Sequence, residues 1–230
     1  MTIKAVLFDL GNTLYRYDGE TEAEVFHRVL LSLGITKTVD EVKNTRLKAM
    51  QEAKKRGLIS LYGKIRNDEF WYRWFSLILE HMDIYDDKIS KVVCSRWFDY
   101  LDCSLFPEVK SVLLRLKQMG LKVGLLTNAS EEEISIILGK ANLDLNIFDI
   151  IVGTDTVIKV KPDPNFFRFV LKKLKVKPEE AIYVGDELEA DYKGAKNVGM
   201  HALLIDRTEK HKQGDLKTIR NLKEILSHID

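Results

Sequence analysis

Two hydrophobic spacings alternate along the chain. Residues 3–8 form a short, nearly continuous apolar run that stops at Asp9 and passes into Gly11 and Asn12, residues that tolerate unusual backbone angles. This predicts a buried strand ending in a tight turn. Four similar runs follow at 122–127, 147–153, 181–185 and 202–205, each bounded by helix-like sequence. Residues 108–119 place Val109, Val112, Leu113 and Leu116 on one helical face and close at Gly120, a predicted C-terminal cap. Ser130 before Glu131, Glu132 and Glu133 predicts an N-cap with an acidic first turn. Helices are further predicted over 165–174 and 191–198. Strand and helix in alternation imply an α/β protein with a parallel sheet covered on both faces.

Residues 17–102 differ in character. Helical periodicity fills 22–33, 39–56, 67–82 and 86–101, with breaks near Gly34, Gly57 and Gly63. Four such helices fit a small bundle inserted into the α/β domain, dividing the chain into a core of 1–16 with 103–230 and a helical domain of 17–102. The aromatic group Phe70, Trp71, Trp74 and Phe75 has the spacing of bundle core.

Composition narrows the partners. With 36 Lys+Arg against 35 Asp+Glu and 45% hydrophobic residues, the chain reads as globular, with no global charge to attract nucleic acid or an anionic membrane. No apolar run approaches the roughly 20 residues of a membrane span. The first residues show no signal-peptide pattern, so a cytoplasmic location is expected. Cys94 and Cys103 form no metal-binding or disulfide pattern. The five histidines are scattered, and the basic runs have the look of solvated helix faces.

In a parallel α/β sheet, ligands bind at the carboxyl ends of the strands. Here the ends are polar: Asp9 after the first strand, Thr127 and Asn128 after the second, Asp186 after the fourth with Asp191 five residues on, and Lys161 in the loop after the third. Three carboxylates gathered on one edge repel one another unless a hard cation lies among them, and Mg2+ suits a few oxygens plus substrate phosphate. Asp9 can then attack phosphorus, with Lys161 and Thr127 offsetting the charge on the transferring group and amides of Leu10, Gly11, Asn12 and Thr13 cradling it. The intermediate is an aspartyl phosphate.

The segments FDLGNTL, LLTNAS, KPDP and VGDELEAD, in this order and spacing, resemble the four motifs of the haloacid dehalogenase superfamily. The helical insertion after the first motif resembles the cap of that superfamily's subfamily I, so the likeness extends over nearly the whole chain. It implies a Rossmann-like core with a C1-type cap domain that opens and closes over the substrate. It further implies that Asp9 is nucleophile and Mg2+ ligand, that the Gly11 carbonyl is another ligand, and that Asp186 binds Mg2+ directly. Asp191 supports the metal through water or by orienting Lys161. Thr127 binds the phosphoryl group, and Lys161 steadies both it and Asp9. Arg16, where the chain enters the cap, is a candidate substrate contact. The expected substrate is a small phosphorylated metabolite, and the expected assembly a monomer or homodimer.

One position departs from the pattern. Most phosphatases of the superfamily carry a second Asp two residues after the nucleophile, as general acid and base; here that position is Gly11. Such a group is typically worth about 10² to 10⁴ in rate. Loss of the second Asp resembles three other branches, the haloacid dehalogenases, the phosphonoacetaldehyde hydrolases and the P-type ATPases. A metal-independent dehalogenase is disfavoured by the paired acids Asp186 and Asp191. A phosphonatase-like enzyme needs a cap lysine, formally Lys48, Lys54, Lys55 or Lys64. A binding protein that kept the metal site but lost turnover is the alternative outside enzymes.

Overall fold

The computed structural model describes residues 2–17, 22–62, 65–157, 159–211 and 214–229. Gly63 and Lys64 lie outside them. Backbone contacts divide the chain into one unit of 1–16 with 104–230 and a second of 17–103.

The first unit is built on a six-stranded sheet, β1 (Ala5–Phe8), β4 (Lys122–Leu126), β5 (Ile150–Val152), β6 (Ala181–Gly185), β7 (His201–Ile205) and β8 (Thr218–Ile219), in the order β5-β4-β1-β6-β7-β8. Every pairing in it is parallel. The central strand β1 is fully buried, as an AVLF run requires of a strand covered on both faces. Two short strands, β2 (Tyr15–Tyr17) and β3 (Cys103–Leu105), pair with each other where the chain leaves this unit and returns.

Alternation sorts the side chains of the sheet. Ala5, Leu7, Leu126, Tyr183, Ala202 and Leu204 share one core with α7 (Pro164–Leu174), whose Phe166, Phe167, Val170 and Leu171 pack against them. Against β4 lies α5 (Val109–Gln118), burying the four apolar residues of its predicted face. The cap at Gly120 is real, with φ +76°. The N-terminus of α6 (Glu131–Lys140) is closed by a capping box between Ser130 and Glu133.

The expected helix at 191–198 begins earlier and differently. Leu188–Lys193 is one turn of π-helix that runs on into α8 (Gly194–Asn197). Its wider winding places Asp191 inward, 1% exposed.

The second unit holds α1 (Glu22–Ser32), α2 (Val39–Lys55), α3 (Asn67–Glu80) and α4 (Asp87–Arg96). Gly34 and Gly57, with φ +75° and +72°, stand at the breaks after α1 and α2. The fourth helix stops short of its expected end, the chain tightening into a 3₁₀ turn at Trp97–Asp99. Phe70, Trp74 and Phe75 are buried in this unit's core with Trp71 packed beside them, and Trp71 stacks on Phe75 at 5.8 Å. Lys48, Lys54 and Lys55 lie on α2.

Candidate active site

Adjacent parallel strands bring their carboxyl ends to one edge. Because β1 lies between β4 and β6, Asp9, Thr127 and Asp186, each following its strand directly, emerge side by side. The sequence also runs outward from β1 in both directions, first to β4 and then to β6, so the edge lies at a topological switch point.

Lys161 holds the cluster together. The residue is 5% exposed, and its ammonium donates to Asp9 Oδ1 at 2.5 Å, Asp191 Oδ1 at 2.7 Å and the Tyr183 hydroxyl at 3.0 Å, which engages all three of its protons. Asn128 fixes the lysine's backbone, its Oδ1 accepting the Lys161 N–H at 2.8 Å. Tyr183, wholly buried in β6, donates to the Leu126 carbonyl at 3.0 Å and so ties Lys161 to the end of β4.

Asp191 has both oxygens in use, Oδ1 on Lys161 and Oδ2 on the Glu187 N–H at 3.0 Å. Its packing explains Gly185: a Cβ there would come within 2.3 Å of the Asp191 carboxylate. The glycine is required by close approach.

Charge in the cluster is unbalanced. One oxygen each from Asp9, Asp186 and Asp191 lies within 4.8 Å of the others, with the single Lys161 ammonium bonded among them. Burial, aided by the neighbouring carboxylates and only partly relieved by Lys161, pushes the Asp9 carboxyl up to about 7. Asp186 is pushed up to about 6, by burial first and by Asp191 and Glu187 next. For Lys161 burial acts the other way but is outweighed by Asp191 and Asp9, which hold it well above the ordinary lysine range. Three acids against one base leave two negative charges, which one divalent cation neutralises. Oxygens on opposite sides of Mg2+, each at roughly 2.0 to 2.1 Å, stand about 4.2 Å apart. The three oxygens, within 4.8 Å of one another, are set somewhat wider than one ion requires, and it is the all-oxygen chemistry of the donors that suits a hard divalent cation.

The other expected residues are placed as follows. Thr127 is 5% exposed at the tip of β4, its N–H on the Val152 carbonyl. Leu10 is buried, and Asn12 is exposed with φ +50°. The Thr13 side chain is wholly buried and its amide turns back on the Gly11 carbonyl at 2.6 Å, so that amide is already engaged. Arg16 is exposed, with its Nε 3.5 Å from Ser104 Oγ. The site also contains Tyr183, for which the sequence offers one signal: a lone hydroxyl inside the aliphatic strand AIYVG needs a buried partner.

A parallel sheet that gathers acids and a lysine at its carboxyl edge is the architecture of the Rossmann-like α/β enzymes. Within that class, a sequence model of the haloacid dehalogenase-like hydrolases matches residues 3–199, and the chain belongs to this family. It is 29% identical to the glyceraldehyde 3-phosphate phosphatase of Methanocaldococcus jannaschii, over 99% of this chain and 97% of that one. The Pyrococcus furiosus enzyme of the same name is 31% identical, over 86% and 78% of the two chains. A magnesium-bound HAD-hydrolase of Bacillus subtilis superposes with a TM-score of 0.78 at 20% identity, covering 100% of this chain and 99% of that one, which shows a shared fold.

Proposed function

We propose that the protein is a Mg2+-dependent phosphatase that hydrolyses a small phosphorylated metabolite through an aspartyl phosphate on Asp9. The observation that carries this is the buried Asp9 carboxylate at the end of the central strand, held by Lys161 with Asp186 and Asp191 close by. The named activity of the relatives puts short phosphate esters first as substrates. Residues 17–103 are the cap domain in this reading.

Asp9, Asp186 and the Gly11 carbonyl are the ligands we assign to Mg2+, which offsets the charge of the phosphoryl oxygens when bound. The Gly11 oxygen accepts one N–H, from Thr13, and keeps a second lone pair for this role. Asp191, with both oxygens engaged, orients Lys161. An Asp9 oxygen attacks phosphorus as the ester P–O bond breaks; Thr127 holds one phosphoryl oxygen, and the Lys161 proton that rests on Asp9 turns to another. With no side chain at Gly11, the leaving oxygen takes its proton from solvent. Water then attacks the phosphorus, releasing phosphate and restoring Asp9.

The test is hydrolysis of an aryl phosphate and of two- and three-carbon phosphate esters, with Mg2+ or with EDTA. Turnover that needs Mg2+ and falls by at least about 10³ in Asp9→Asn is expected, since without its nucleophile the site retains binding groups alone. Halide release from a 2-haloacid that persists in EDTA would instead assign the site to carbon chemistry.

A further inference from the structure

The turn that carries Asp9 is gripped from the far end of the chain. Arg207, two residues beyond β7, donates from Nη2 to the Thr13 carbonyl at 2.9 Å and from Nε to the Asn12 carbonyl at 3.3 Å. Its Nη1 meets Glu108 Oε1 at 2.7 Å, and its guanidinium carbon lies 3.4 Å from the centroid of the Phe106 ring. Both supports are fixed in turn. The Phe106 N–H donates to the Leu14 carbonyl at 3.0 Å, and Glu108, 5% exposed, also accepts the Leu222 N–H at 3.4 Å. A half-buried, stacked and ion-paired guanidinium therefore spans two successive carbonyls of a four-residue turn.

Those carbonyls define the turn's shape. Asn12 sits at φ +50°, in the left-handed region that asparagine enters more readily than most residues. The peptide plane before Asn12 carries the Gly11 carbonyl, and the two planes after it end on Arg207. Fixing the latter two fixes the Thr13 dihedrals and the direction of the Thr13 N–H, which donates to the Gly11 carbonyl oxygen at 2.6 Å and so ties that oxygen to the clamp. The fork is specific to arginine: two parallel N–H groups reach adjacent acceptors while a third pairs with Glu108, which an ammonium on a flexible stem does not reproduce.

We propose that Arg207 is a positioning residue for the reaction, a clamp that holds the Gly11–Thr13 backbone in the geometry the Asp9 site requires. The assignment rests on the reading of that site as a phosphoryl-transfer centre. It acts through the backbone, with no contact to substrate, so its loss should lower kcat and leave KM nearly unchanged. Misplacement of a reacting group by about 1 Å is worth about 10²-fold in rate.

The experiment compares full-length wild type with Arg207→Lys, Arg207→Gln and the milder Glu108→Gln. Each is followed by aryl phosphate kinetics at saturating Mg2+ and by hydrogen exchange of the metal-free protein, read on the segment spanning 10–15 against segments in β4 and β7. Expected are a fall in kcat of about 10-fold or more for both Arg207 variants with KM within about 3-fold, and faster exchange confined to 10–15. Glu108→Gln should show the same pattern in weaker form. Wild-type kcat and exchange in Arg207→Lys would overturn the clamp in favour of a plain charge effect. Faster exchange across the sheet would overturn it in favour of general stability, and a change in KM alone in favour of substrate contact. A wild type without phosphatase activity would remove the reading of the site, while the exchange pattern by itself still decides whether Arg207 holds the turn.

Discussion

Gly11 and Gly185 are both glycines of the site, yet they differ in what a side chain would meet. At Gly11 the nearest atoms to an added Cβ are Tyr15 Oη and Cε1, at 3.8 and 4.0 Å, ordinary contact distances. Gly11→Asp should therefore fold normally and supply the absent acid. Turnover of alkyl phosphates, whose leaving group most needs a proton, is expected to rise by about 10² in Gly11→Asp, with a smaller gain for aryl phosphates. At Gly185 the same addition collides with Asp191. Gly185→Ala is expected to lower the melting temperature and abolish measurable turnover, because displacing Asp191 releases Lys161. Asp9, Thr127 and Asp186 were legible in the sequence because each directly follows an apolar run, and Lys161 and Asp191 through the motifs KPDP and VGDELEAD. Arg207 and Glu108 were not, because their meaning lies in a contact between segments 99 residues apart.

Helical faces and the short apolar runs of the buried strands could be read directly from the chain, and the small strands without such a run could not. The faces of α5, α6 and α7 follow from their spacing, whereas β2, β3 and β8 have three, three and two residues and offer no period to detect. The π-turn over Leu188–Lys193 was equally hidden, since its extra residue per turn is set by where Asp191 must point. One polar clip binds elements together at the sheet edge. Asp149, just before β5, accepts from Lys117 of α5 at 2.6 Å and from the Val123 N–H of β4 at 2.7 Å. Burial alone would raise its carboxyl, but the Lys117 and Val123 bonds prevail and hold it below the ordinary 3.8. A carboxyl lowered by folding adds stability above its unfolded value and loses it as pH falls through the folded one. The melting temperature of Asp149→Asn should thus lie below wild type at neutral pH, and the gap should narrow below about pH 4. Thermal melts monitored by circular dichroism between pH 3 and 7 test this.

At the scale of the molecule, each unit has a hydrophobic core of its own. The helical unit buries Phe26, Val29, Leu30, Trp74, Phe75 and Ile78 among its own helices, and the chain enters and leaves it through the paired strands β2 and β3. Residues 17–103 expressed alone should be helical by circular dichroism and melt in one cooperative transition. A gradual, non-cooperative loss of helix would mean that the bundle depends on the remainder of the chain. The division was visible in the sequence as a change from alternating to purely helical spacing. The cap role stays an inference from family likeness, because spacing speaks of packing and not of what a surface recognises.

The order of the sheet also sets a schedule for biosynthesis. The central strand β1 is made before both of its partners, β4, beginning at Lys122, and β6, beginning at Ala181. At about 5 to 20 residues per second, the AVLF segment waits on the order of ten seconds or more before both neighbours exist. The helical unit, complete by residue 103, can mature in that interval. The nascent chain thus carries an exposed, strongly β-forming segment next to a folded bundle, the state in which chaperones would be expected to engage it.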